Sequence, residues 1–301
     1  MHSLEKEFDK ISISIWDSIY DAWMLNANLG ENTISDLILL YLKKLKRNDI
    51  DIIPHNQRFE KKSGADWFWV IGSSRYGKWI SFAVQAKRIN EKEEYSEFAK
   101  VSKAKTQTQN LIKFSKRNNA LAVYALYNNA KLNKKDTNNH LHCGCRNNFL
   151  KQTFLFQSKL NLNNLKPLKI IKLAKQKNLG VSIVPANTIH TQLSRRMKRN
   201  FKSIHQVKSS IPLKCLICEL SCKLNNCVSN GSKTIDILGE KLLIENTNQM
   251  RLKISQMQND GNKIDESFDS QFFEENNIDD LKFYFAKRMI IIDVGVNDDP
   301  K

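Results

Sequence analysis

An α/β fold built on a mixed sheet is the architecture this 301-residue sequence predicts, and three patterns point to it. Apolar residues recur at three- and four-residue spacing in two segments near the N-terminus, as on one face of a helix. Three short β-type runs follow, at residues 51–60, 66–72 and 79–86. A polar helical stretch over residues 94–117 then leads into Leu121-Ala122-Val123-Tyr124-Ala125-Leu126-Tyr127, an apolar run suited to a buried strand. The order is α-β-β-β-α-β.

The first helix presents Phe8, Ile11, Ile15, Trp16, Ile19 and Trp23 on one face and ends at Gly30, so residues 1–30 are expected to pack it on the core. A second helix starts at Glu31, repeats Ile34, Leu37, Ile38, Tyr41, Leu42 and Leu45, and stops near Arg47-Asn48-Asp49. The last two β runs flank the turn-rich Ser73-Ser74-Arg75-Tyr76-Gly77, and the three together read as a β-meander. Trp67, Trp69 and Trp79 are expected to fill the sheet's core rather than stack on bases, because alternate strand residues share a face. Residues 31–128 thus form one core. The polar residues 129–139 read as a linker into a C-terminal α+β accessory region spanning 129–301. In it the sequence predicts a helix near 165–178, a strand at Val181–Val184, a basic helix near 190–207 and a strand at Met289–Val294.

Hydrophobic residues at 41% and charged ones at 26% exclude a disordered or membrane-embedded class. No apolar run reaches the roughly 20 residues a bilayer span needs, and the charged N-terminus lacks a secretion signal, so a cytoplasmic protein without membrane contact is expected. The net charge of +17 calls for a polyanionic partner, with nucleic acid foremost. That charge sits in the body, because residues 260–301 hold eleven acids against five bases. An acidic tail masking a basic body is one consequence to weigh. Six cysteines in a reducing compartment point to metal binding or burial rather than disulfides.

Hydrolysis of a phosphodiester needs oxygen ligands for a divalent cation and a cation beside the attacking water. Asp66 opens the second β run within Ser63-Gly64-Ala65-Asp66-Trp67, and the third ends in Gln85-Ala86-Lys87. Gln85 and Lys87, two apart on a strand, share a face. A hairpin in the right register brings Asp66 beside them. Glu31 heads the second helix, where a carboxylate is also favoured simply by the helix dipole. Glu60, Gln107 and Gln109 are further polar candidates.

With its element order, the Asp66 and Gln85-Ala86-Lys87 pair resembles the PD-(D/E)XK, or restriction-endonuclease-like, nuclease superfamily over residues 31–128. That signature places an acid on the second core strand and (D/E)-x-K on the third. Within it the chain looks like a group of uncharacterised bacterial proteins carrying a Gly-Ala-Asp-Trp and Gln-Ala-Lys pair. The resemblance implies a restriction-endonuclease-like αβββαβ core. It also implies catalytic residues Glu31, Asp66, Gln85 and Lys87, and a Mg²⁺ or Mn²⁺ held by Glu31, Asp66, Gln85 and the Ala86 carbonyl. One departure matters: a neutral glutamine replaces the signature's second acid and is a weaker ligand for a hard dication. The expected function is metal-dependent hydrolysis of nucleic acid, DNA in preference to RNA, with a role in defence or mobile-element biology by analogy. The alternative is a non-catalytic nucleic-acid binder with a decayed metal site. A dimer is compatible with the sequence.

Cys215-x2-Cys218-x3-Cys222-x4-Cys227 has the spacing of a candidate zinc site, although Leu213, Leu216, Ile217 and Leu220 would equally make a core helix there. His140-Leu141-His142-Cys143-Gly144-Cys145 is a second candidate cluster. Arg195, Arg196, Lys198, Arg199 and Lys202 form a basic patch suited to phosphate contacts without base readout.

Overall fold

Four strands are buried along almost their whole length: β2 (Trp67–Ser73), β3 (Lys78–Arg88), β4 (Ala120–Tyr127) and β5 (Val181–Pro185). Burial on both faces requires a helical layer on each side of the sheet, and the computed structural model has that arrangement. It describes residues 4–54, 63–98, 101–130, 179–195, 198–205, 210–226, 234–266 and 288–294.

The sheet also contains β1 (Ile50–Pro54), β6 (Ile211–Pro212), β9 (Glu245–Asn246) and β10 (Arg288–Asp293). Its order is β1-β10-β2-β3-β4-β5-β6, with β9 added to the start of β3. β10 runs parallel to β2 and β3 parallel to β4, while the remaining pairs are antiparallel, so the sheet is mixed. A separate hairpin joins β7 (Thr234–Ile237) to β8 (Glu240–Leu243).

On one face pack α1 (Leu4–Met24), α2 (Glu31–Lys44) and α6 (Leu213–Asn226). Phe8, Ile11, Ile15 and Ile19 of α1, with Ile34, Ile38 and Leu42 of α2, are the buried stripes that helical periodicity picks out. Trp67 and Trp69 point into this layer. On the other face lie α3 (Val101–Arg117), α4 (Ala186–Ser194), α5 (Phe201–His205) and residues of α7 (Thr247–Glu266), against Phe68, Ala83, Tyr124 and Leu126.

Four local expectations are corrected. The three β runs are not a meander: β2 and β3 form the hairpin, but β10 lies between β1 and β2. The C-terminal region is therefore not separate from the 31–128 core, since β5, β6 and β10 all extend its sheet. The polar helix begins at Val101, because Glu93–Tyr95 are drawn into backbone bonds with Arg199–Phe201 and Ser96–Phe98 form a 3₁₀ turn. The same bonds break the basic helix. Tyr95 N donates to Arg199 O, Phe201 N donates to Glu93 O, and Asn200 Oδ1 caps α5 by accepting from Ser203 N at 2.9 Å. The expected helix at 165–178 and most of the linker at 129–139 lie outside the described residues. Among the described residues, no helix is long and apolar enough to cross a membrane.

Candidate functional site

β2 and β3 pair with Trp67 opposite Val84, and Asp66 N donates to Val84 O at 2.8 Å, which carries the ladder one residue further. Asp66 therefore lies level with Gln85 and on the same face. Oδ2 of Asp66 accepts from Gln85 Nε2 at 2.5 Å and from Ala86 N at 2.7 Å. Asp66 is 7% exposed.

Gly64 explains how the chain enters this position. Its φ of +67° is left-handed, and a Cβ there would stand 2.9 Å from Gln107 O. The Gly64-Ala65-Asp66 turn is thus pressed against α3, where only glycine fits. Gln107, on that helix, donates through Nε2 to Gln85 Oε1 at 3.2 Å. A relay of hydrogen bonds runs from α3 through Gln107 and Gln85 to Asp66. Next to it, burial pushes the Tyr124 phenol well above its ordinary range, the hydrogen bond shared with Thr108 lowers it, and the Asp66 charge raises it.

Lys87 continues the same face of β3 and is 4% exposed. Its Nζ pairs with Glu31 Oε2 at 3.5 Å, while Glu31 Oε1 accepts from Arg88 N at 2.9 Å. Glu31 thus caps the end of β3 rather than its own helix: α2 begins after Gly30 with no side-chain cap. Glu31 joins Lys87, and Asp66 and Gln107 join Gln85, at the end of one strand.

The other predicted residues are scattered. Gln109 is exposed. Glu60, Arg196, Cys227 and the His140–Cys145 cluster lie outside the described residues. Arg195, Lys198 and Lys202 are exposed and Arg199 is half-buried, around the break between α4 and α5. In α6, Leu213, Leu216, Ile217 and Leu220 are buried core residues. Cys215 is a buried thiol and Cys222 an exposed one, neither in a disulfide, and Cys218 is disulfide-bonded, which the expectation of reduced cysteines does not anticipate. Among the described residues, no group of three or more His, Cys, Asp or Glu side chains could hold a metal.

Sequence reasoning missed one polar network. Asn128 Nδ2 donates to Ser182 Oγ at 2.8 Å, and Ser182 Oγ donates to His205 Nε2 at 2.6 Å. His205 Nδ1 donates to Phe201 O at 2.9 Å, which fixes the tautomer. The serine and histidine are spaced like a nucleophile and its base. Ser182 is nevertheless fully buried and already accepts from Asn128, so this network ties β4, β5 and α5 together. No local motif marks it, because its members are 23 and 54 residues apart.

The molecule is thus a mixed α/β protein with a buried carboxylate, carboxamide and lysine at one strand end. The chain belongs to DUF6615, a family of unknown function whose model matches residues 4–293. No curated protein matches it.

Proposed function

We propose that this protein is a metal-dependent nuclease with a restriction-endonuclease-like core at residues 31–128, hydrolysing phosphodiester bonds of nucleic acid, DNA first. The observation that carries the proposal is the meeting of Asp66 with Gln85 and of Glu31 with Lys87, at two positions on one face of β3.

The donor set fits a hard cation: two carboxylates, a carboxamide oxygen and the Ala86 carbonyl are the ligands Mg²⁺ or Mn²⁺ takes. Such an ion supplies Lewis acidity toward the phosphate and toward water. Gln85 has to turn its carboxamide over to present Oε1, because Nε2 now faces Asp66. Gln107 can turn in step and accept from it, since an amide exchanges donor for acceptor by a half rotation. Asp66 stays in place through the Ala86 amide. Lys87, held by Glu31, orients the attacking water and stabilises the negative charge on phosphorus. The water oxygen bonds to phosphorus as one ester P–O bond breaks. The water's proton passes to solvent, and the leaving oxygen takes one up.

The test is cleavage of single- and double-stranded DNA and of RNA with Mg²⁺ or Mn²⁺. Cleavage is expected, with a loss of at least about 100-fold in Lys87→Ala and an unchanged circular dichroism spectrum. Full activity in that variant removes Lys87 from the mechanism. A second reading, a non-catalytic nucleic-acid binder, is favoured by one fact: Asp66, Gln85 and Gln107 satisfy one another without an ion. Calorimetry with Mn²⁺ separates the two, because the binder takes up none.

A further inference from the structure

An open cleft of about 520 Å³ is lined by Arg88, the residue that follows Lys87, and by the segment that leads into Glu31. One wall is the last turn of α1 and the α1–α2 connection, with Trp23, Asn26 and Asn28, and the other is the end of β3 and the chain leaving it, with Arg88, Asn90 and Lys92. Both walls converge on the candidate site: Asn28 lies three residues before Glu31, and Arg88 follows Lys87 and donates its amide to Glu31. We propose that this cleft is a nucleobase subsite, seating one unpaired base of the nucleotide beside the scissile phosphate. The proposal rests on the nuclease reading and adds its substrate: strands with an unstacked base at the cut.

The size is that of a small-ligand pocket, roughly 300–1,000 Å³. The charge of the lining excludes a bare phosphate as the best occupant, because Arg88 and Lys92 are balanced by Glu91 and Glu94. What remains is an indole, three carboxamides and both signs of charge. That is the equipment for a neutral planar ring with donors and acceptors at its edge. The walls are also pre-shaped. Asn90 Oδ1 accepts from the amides of Lys92 and Glu94, each at 3.0 Å, and Ala27 N donates to Ala22 O at 2.8 Å.

Trp23 supplies its own probe. Trp16, Trp67, Trp69 and Trp79 are buried at 2–5% exposure, leaving Trp23 as the half-buried indole of the five. The experiment titrates the wild-type chain in EDTA with single-stranded ten-mers of each base and with an abasic ten-mer of equal charge, reading tryptophan fluorescence in the wild type and the anisotropy of dye-labelled strands in wild type and variants alike. Base-bearing strands should quench the emission and bind about tenfold more tightly than the abasic strand, in keeping with base–aromatic stacking. Asn28→Ala should shrink that preference and Trp23→Leu should remove it. Because Trp23 also packs on the core, Asn28→Ala keeps the test decisive if Trp23→Leu unfolds. Equal binding of base-bearing and abasic strands, or a preference untouched in Asn28→Ala and in a folded Trp23→Leu, overturns the proposal. A Trp23-dependent preference in a protein that cleaves nothing keeps the base subsite and sinks the nuclease. Cleavage without the preference does the reverse.

Discussion

Gln85 donates to Asp66 Oδ2 at 2.5 Å, and the amide of Ala86 donates to the same oxygen at 2.7 Å. A side chain and the backbone next to it therefore converge on one carboxylate oxygen. The carboxylate is positioned twice over, and only the side-chain bond can be exchanged for something else.

That exchange is tested by Gln85→Glu. The new carboxylate faces Asp66 and the pair repels, so one of the two holds its proton to higher pH than an ordinary carboxyl. A carboxyl with a raised folded-state pKa destabilises as pH rises through that value, and the deficit vanishes below the unfolded value of about 4. Thermal melts should show the variant near wild type at low pH and below it at pH 7. Mn²⁺ should restore stability at pH 7, with an affinity gain of about tenfold over the glutamine. An affinity equal to wild type would argue against metal at this place.

Gly64→Ala tests how Asp66 is delivered. The left-handed φ costs about 1–2 kcal/mol for any Cβ, and here the Cβ also meets the Gln107 carbonyl at 2.9 Å, within a helix that cannot yield. Gly239 is the control, because its φ is +78° but nothing lies within 4 Å of its Cβ. Urea unfolding should show Gly239→Ala losing about 1–2 kcal/mol and Gly64→Ala clearly more. Equal losses would mean that the turn does not press on α3.

The two helices, the hairpin and β4 were legible because periodicity and turn residues are local. The Asp66–Gln85 meeting was legible for the same reason, since one hairpin sets it. Glu31 was ambiguous: a carboxylate at a helix start fits its own dipole as well as a distant strand, and only the geometry shows it reaching Arg88. The insertion of β10 could not be read, because Ile50 pairs with Ile292 across almost the whole chain. The break in the basic helix was hidden likewise, being made by the backbone of Glu93–Tyr95.

At the far end of β3, Lys253 pairs with Glu245, which also accepts from Ser81 Oγ and Asn119 Nδ2. Burial lowers the Lys253 pKa from 10.5, with Glu245 opposing the shift. Between the lowered value and 10.5 the unfolded chain binds the extra proton, so stability rises with pH across that window. Lys253→Met should abolish this slope. It should also cost about 3–5 kcal/mol at pH 7, because Glu245 is left buried and charged. Adding Glu245→Gln should recover most of the loss in calorimetric scans, whereas additive losses would show that the pair is not coupled.

The last strand sets the sharpest expectation. β10 lies between β1 and β2, with Met289, Ile290 and Ile292 at 0–2% exposure. Its end is fastened by Asp293 N donating to Asp49 O at 2.8 Å and Val294 N to Gly72 O at 2.7 Å. Ending the chain at residue 287 leaves β1 without its sheet partner and opens an edge on β2, the strand that Asp66 precedes. Unsatisfied ladder groups and an uncovered apolar row cannot both be tolerated. The truncated protein should therefore fail to unfold cooperatively and should bind a hydrophobic dye. Met289→Ala, which only opens a cavity, should cost about 2–5 kcal/mol yet leave a folded chain. The acidic C-terminal stretch thus cannot be removed as a tail to ask whether it masks the basic body: the cut deletes an inner strand of the sheet. A cooperative, wild-type-like transition in the 1–287 fragment would overturn the strand order itself.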